Sequence, residues 1–412
     1  MRRAIYVLAV IGGVAAGVGG LAFGLMLGLL ATSAGGRGAP VLQQATFALA
    51  APVVGLGCGA ILVWAGLTAL GGTAGKPLAL PGWRQWLFAL LIVIAAGQAL
   101  LMSSPGVRWT LPVFHVLAGV LSAFLFLAIA TAAARAQGAV ISARGTLGSL
   151  AWGALGGGTI AVLAELVLAV LGGLLIAVWL AATHPELMRQ LQDWVLRLSE
   201  MPGRIPDFSQ FSGIASSPVV IGAILAGLGF FVPLIEESAK SLAVPIVALT
   251  GRRLSRLDGF LLGAASGAGF TLLEGILNGS LALADPRSWW FAMLLRSGTA
   301  ALHCLATGLG GLAWQQALVE RRGWRAGALA LAALGVHGAW NVMATFSALL
   351  GLAGAGGSAL ALRTAAQVAA AFAMALIWLG VVAALPLLSG YLAGHGISPT
   401  PAAESDEGAP LE

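Results

Sequence analysis

Residues 148–182 read GSLAWGALGGGTIAVLAELVLAVLGGLLIAVWLAA, an apolar run interrupted by one ionisable side chain, Glu165. A helix crossing the hydrocarbon core of a bilayer needs about 20 such residues, so this stretch spans with length to spare and must tilt, kink or protrude. Nine further runs follow the same pattern, at 4–30, 44–70, 86–102, 111–134, 218–250, 258–283, 290–317, 326–350 and 364–394. The chain as a whole agrees. Its 412 residues are 59% hydrophobic and 9% charged, against about 25% charged in a soluble domain, and the mean hydropathy is +0.96. The fold class that follows is all-α: a polytopic integral membrane protein of about ten transmembrane helices, with lipid as its solvent.

Other classes fall with the same reading. The two cysteines, Cys58 and Cys304, both lie in apolar runs, which excludes a disulfide framework and a cysteine-based zinc module. The net charge of +6 does not indicate nucleic acid, because the basic residues sit between spans rather than on a stripe. With the N-terminus inside, Arg2, Arg3, Lys76, Arg84, Arg135, Arg144, Arg252, Arg253, Arg256, Arg321, Arg322 and Arg325 are cytoplasmic. Arg37, Arg108, Arg189, Arg197, Arg204, Arg287 and Arg363 are then outside. That excess satisfies the positive-inside rule with both termini cytoplasmic. Met1-Arg2-Arg3 resembles a signal-peptide start, but the apolar run after it is too long for an h-region and reads as the first span.

Between spans, Leu187, Leu191, Trp194, Val195 and Leu198 recur at helical spacing after Pro185. They predict an amphipathic helix on the outer interface within the loop 185–217, a linker resting on lipid rather than a substrate gate. Glycines four apart, Gly20/Gly24/Gly28, Gly55/Gly59 and Gly263/Gly267, predict close helix packing. The Pro-rich acidic tail, 395–412, reads as disordered.

The informative residues are polar ones inside the bilayer, where an ionised side chain costs about 2.5–3.5 kcal/mol at a helix centre. Spans one to five hold little beyond His115 and Glu165, whereas spans six to nine carry Glu236, Glu237, Lys240, Glu274, Arg296, His303, His337 and Asn341. Counted from the cytoplasmic edges, Glu236, Glu274, His303 and His337 lie at one depth, roughly 18–24 Å at about 1.5 Å per residue. Four helices placing polar groups at one level predict a shared site. Lys240 is four residues from Glu236 and three from Glu237, so it can face either carboxylate. Asn341 shares a helix face with His337 and offers an amide donor for an oxyanion.

Two chemistries suit this set. A glutamate, Glu236 or Glu237, can act as general base on a water, with histidine and Asn341 stabilising the tetrahedral oxyanion. Alternatively His303, His337 and a glutamate, Glu274, bind zinc while another glutamate activates the metal-bound water. The cofactor is thus none or zinc, and no HExxH signature decides between them.

Glu236-Glu237-Ser-Ala-Lys240, Phe270-Thr-Leu-Leu-Glu274, His303 and His337-Gly-Ala-Trp-Asn341 follow in order on successive spans. In this the chain resembles the PrsW family of intramembrane proteases and, more distantly, the CAAX prenyl endopeptidase superfamily. It departs from the pattern at Gly275, where the resemblance would put asparagine. The resemblance implies a hydrolase cutting membrane proteins near the outer face, with anti-sigma factors or similar single-span regulators as substrates, and either a metal-dependent or a metal-free glutamate mechanism. It implies Glu236, Glu237, Glu274, His303 and His337 as catalytic positions, with Asn341 assisting and Lys240 and Phe270 supporting.

The implied organisation is an accessory region of five spans over 1–184, the external loop 185–217, a four-helix catalytic core over 218–350, a C-terminal span over 351–394 and the tail. Partners are the membrane-protein substrate and the bilayer, not nucleic acid. Competing readings are a proton-coupled carrier, which lacks support from any inverted repeat, and an inactive scaffold. Arg296 is expected to snorkel, Trp289 and Trp290 to anchor at the interface, Trp340 to pack beside the site, and Glu165 to stand apart from it.

Overall fold

The computed structural model describes residues 1–33, 39–73, 75–103, 110–199, 218–284, 289–352 and 359–396. The acidic tail and the loop beyond Ser199 lie outside them. In chain order the helices are α1 (Arg2–Ser33), α2 (Ala39–Leu70), α3 (Trp83–Leu101), α4 (Leu111–Ala136), α5 (Ala143–Trp152), α6 (Gly158–Thr183) and α7 (Pro185–Ser199). There follow α8 (Pro218–Ala226), α9 (Val232–Ser241), α10 (Ala243–Ala248), α11 (Arg256–Gly279), α12 (Trp289–Leu318), α13 (Gly323–Leu352) and α14 (Ala359–Gly396). The protein is all-α, as the composition requires.

Among the described residues nine spans are long and apolar enough to cross a membrane. The tenth expected span, α12, is as long but less apolar. It carries Arg296, His303, Gln315 and Gln316 and is buried inside the bundle, where polar side chains find partners.

The two over-long central spans relieve their length by local rewinding. Span five is α5 and α6 joined by a π-helical turn, Gly153–Gly157; span six is α8, the π-turn Gly227–Phe231, α9 and α10. Pro233 explains the second π-turn: it has no N–H to return to the carbonyl one turn earlier, so the ladder shifts. Helix α13 covers the freed carbonyls, Asn341 Nδ2 donating to Leu228 O at 3.0 Å. Gly338 lies so close to the Gly229 carbonyl that a Cβ there would collide with it.

At the centre lies α11, buried along almost its whole length. Its start is fixed by a reciprocal cap, in which Ser255 Oγ accepts from Asp258 N at 3.0 Å and Asp258 Oδ2 accepts from Ser255 N at 3.1 Å. Against α12 it presents Gly259, Gly263 and Gly267, and against α5 and the first π-turn it presents Gly269. The amphipathic helix expected after Pro185 is present as α7, with Glu186 and Arg189 paired on its exposed face.

Trp289 differs from expectation. It is fully buried, its Nε1 donating to His115 Nδ1 at 3.1 Å while His115 Nε2 meets Ile276 O at 3.0 Å. An indole N–H with a buried acceptor has no need of the headgroup region. Trp290 is exposed and Trp340 buried.

Candidate active site

Four helices deliver a connected polar cluster: α9 brings Glu236, Glu237 and Lys240, α11 brings Phe270 and Glu274, α12 brings Arg296, His303 and Thr307, and α13 brings His337. Lys240 is the hub. With 0% of its side chain exposed, its Nζ lies 3.0 Å from Glu236 Oε2 and 2.6 Å from Glu237 Oε1. It also donates to His303 Nδ1 at 3.1 Å. These three acceptors satisfy the three N–H groups of an ammonium, and the Phe270 ring covers it at 4.2 Å while packing on the His303 ring.

The adjacent carboxylates are not equivalent. Glu237 is saturated: Oε1 takes Lys240 and His337 Nδ1 at 2.8 Å, and Oε2 accepts from Thr307 Oγ1 at 2.8 Å. Glu236 takes Lys240 on Oε2, and the same oxygen faces His337 Nε2 at 3.7 Å, beyond direct hydrogen bonding and within reach of a bridging water.

His303 is held through both ring nitrogens. Since Nδ1 accepts from Lys240, Nε2 carries the proton and donates to Glu274 Oε2 at 2.7 Å. The other Glu274 oxygen lies 2.6 Å from Arg296 Nη2. Arg296 therefore turns inward to a carboxylate instead of snorkelling. The expected metal set of His303, His337 and Glu274 is arranged differently: Glu274 binds Nε2 of His303, whereas Nδ1 faces Lys240 and the carboxylate pair. Among the described residues, the side chains whose ligand atoms lie within 4.8 Å of one another are Glu236, Glu237, His303 and His337, all buried. Asn341 stands one turn from His337, with its Nδ2 engaged on Leu228 O.

Two further residues belong to this cluster. Thr307 orients Glu237, and its position four residues after His303 on the same helix face was the available signal. Glu165, on α6, lies close enough to Glu236 and Glu274 to feel their charges, and its Oε1 is buried with no hydrogen-bond partner. An ionisable side chain in mid-span is a site candidate by default, which was signal enough to include it.

A family model described as PrsW family intramembrane metalloprotease matches residues 142–379, more than half of the chain. The chain belongs to the PrsW family. No curated protein and no solved structure matches it. This PrsW-family chain is accordingly a multi-pass membrane protein with an intramembrane protease domain, a hydrolase whose substrates are membrane proteins. The matched stretch begins at Ser142, the cap of α5, and so takes in α6 and Glu165 as well as residues 218–350.

The family's description carries a metal, and the cluster can be tested for it. The donors are of the right kind, two imidazoles and two carboxylates. The space between them is not available, because the Lys240 ammonium is bound to three of the four. As these side chains stand, a divalent ion does not fit.

Proposed function

We propose that this PrsW-family chain is an endopeptidase that cuts single-span membrane proteins, such as anti-sigma factors, with a water activated by Glu236. The unequal engagement of the two carboxylates carries this reading. Glu237 has three donors on its two oxygens and serves to orient His337, while Glu236 keeps an oxygen facing the 3.7 Å gap to His337 Nε2. A water seated beside these two atoms, off the line that joins them, would hydrogen-bond the carboxylate oxygen and the imidazole nitrogen together.

The steps balance without another reactant. Glu236 removes a proton from the water as its oxygen adds to the scissile carbonyl carbon, and the carbonyl oxygen becomes an oxyanion. Asn341, on exchanging Leu228 O for that oxyanion, would stabilise it. The C–N bond then breaks as Glu236 returns the proton to the amine nitrogen. Glu274 fixes the His303 ring, and His303 in turn holds Lys240 against the carboxylates.

The segment of substrate at the site must be unwound, since a peptide bond inside a helix turn is screened by its own hydrogen bonds, and the polar cluster offers replacements. We place the protein in the cell membrane with both termini cytoplasmic, on the positive-inside distribution. The catalytic unit is read as α8–α13, with α6 lending Glu165.

The test is cleavage of a panel of single-span host regulators by purified protein in lipid nanodiscs. Glu236→Gln should lower kcat by roughly 10²–10⁴-fold, the range of a lost general base, with little change in KM. Glu237→Gln should lower it less, through a misplaced His337. Wild-type rates in Glu236→Gln would refute the reading, and an inactive Glu237→Gln beside an active Glu236→Gln would exchange the two roles.

A further inference from the structure

We propose that the Lys240 ammonium is the resident cation of this site, occupying the position a divalent metal would take, so that lysine and metal are alternative occupants. The argument is geometric and does not depend on which glutamate is the base. The four side chains with metal-ligand atoms, Glu236, Glu237, His303 and His337, lie within 4.8 Å of one another. A zinc ion with bonds of about 2.0–2.2 Å separates opposite ligands by at most about 4.4 Å, so the set is nearly of the size a metal needs. Lys240 Nζ sits among them, bonded at 3.0 Å to Glu236, 2.6 Å to Glu237 and 3.1 Å to His303.

Nothing about the ammonium is left unsatisfied. Its three donors have three acceptors, its remaining side faces the Phe270 ring at 4.2 Å, and its side chain has no exposed surface. The polar ligands are those of a cation site, and the cation is covalently part of α9. A divalent ion added beside it would face a like charge at contact distance in a buried setting, so metal entry requires Lys240 to withdraw. The lysine thereby offsets one of the two adjacent carboxylate charges without a cofactor. Its removal, rather than any change in the four ligands, is what opens the site to metal.

The experiment uses full-length protein in nanodiscs, with thermal unfolding and cobalt(II) ligand-field absorption as readouts, so that it reports on the cation and not on cleavage. Wild type should show the same Tm in EDTA as in zinc chloride and no stoichiometric cobalt spectrum. Lys240→Met should lose several degrees of Tm, as expected when two buried carboxylates lose their cation. Zinc should restore that loss, and the variant should bind cobalt at least about tenfold more tightly than wild type. Adding His303→Ala to Lys240→Met should abolish the cobalt spectrum. One equivalent of cobalt bound by wild type as tightly as by Lys240→Met, or a wild-type Tm that falls in EDTA, would overturn the proposal. The wild-type measurement stands even if Lys240→Met does not fold. If a wild-type preparation is inactive on every substrate yet insensitive to metal, the protease mechanism fails and this inference does not.

Discussion

The helix pairs α1–α2 and α11–α12 are closed by the same packing device and differ in what that device protects. In the first pair Gly13, Gly20, Gly24, Gly55 and Gly59 bring backbones together, and a Cβ at Gly20 would meet the Ala51 carbonyl at 2.5 Å. In the second, Gly259, Gly263 and Gly267 play the same part, and a Cβ at Gly267 would strike the His303 carbonyl. Close approach is therefore general in this protein and does not mark a site. The distinction lies in depth within the bundle. In the most apolar 18 residues of α1, 11% are buried, against 83% in α11. Only the enclosed pair can hold ionised groups, because only there do other helices supply partners in place of water.

The sharpest way to break this contrast is to damage both pairs equally. Gly267→Ala should force α11 from α12, displace His303 and lower cleavage by about 10²-fold, the penalty of misplacing a catalytic group by an ångström or so. Gly20→Ala should loosen α1 from α2 and leave cleavage within about twofold, since site additivity holds at a distance. Equal losses in a nanodisc cleavage assay would mean that the N-terminal hairpin is part of the catalytic unit.

A finer probe stays within the catalytic pair. Thr307→Val removes the donor to Glu237 Oε2 while keeping the side-chain shape. With about 1.5–3 kcal/mol in a hydrogen bond to a charged group, kcat should fall roughly tenfold or more, and Thr307→Ser should recover most of it. Wild-type kcat in the valine variant would mean that Lys240 and His337 hold Glu237 unaided.

The smallest effect belongs to the end of the same pair farthest from the site. There Arg256 grips Glu320 through two bonds, 2.5 Å and 2.8 Å, holding the Glu320 carboxyl down at about 2. A lowered carboxylate contributes stability above its ordinary value of 4.5, and that contribution is lost as pH falls toward about 2. Because the pair is partly exposed, Glu320→Gln should cost no more than about 1 kcal/mol at neutral pH. The Tm difference from wild type should shrink on acidification, and a difference that grows in acid would contradict the pairing.

Much of this was legible before any coordinates. The long apolar helices and the shared level of Glu236, Glu274, His303 and His337 follow from residue spacing, since lipid imposes helix length and penalises stray charge. Less legible were residues whose meaning depends on direction. Arg296 read as snorkelling because its depth allowed it, yet Glu274 lies 2.6 Å away across a helix boundary. Trp289 read as an anchor because it begins a span, yet α4 offers His115 to its indole. Glu165 read as isolated because no neighbour in its own span is polar, yet α6 brings it to Glu236.

The sequence by itself determined that this is an all-α, multi-pass membrane protein and which residues had to be sheltered together, because hydropathy and helical period act along the chain. Only the tertiary structure decided which partners each of those residues takes. Glu237 became the saturated carboxylate and Glu236 the available one through Thr307 and His337, which lie 70 and 100 residues away from Glu237. Lys240 became the cation at the centre because three helices converge on it. Hydrogen bonds between helices depend on rotation and packing, and spacing along one helix carries no record of either.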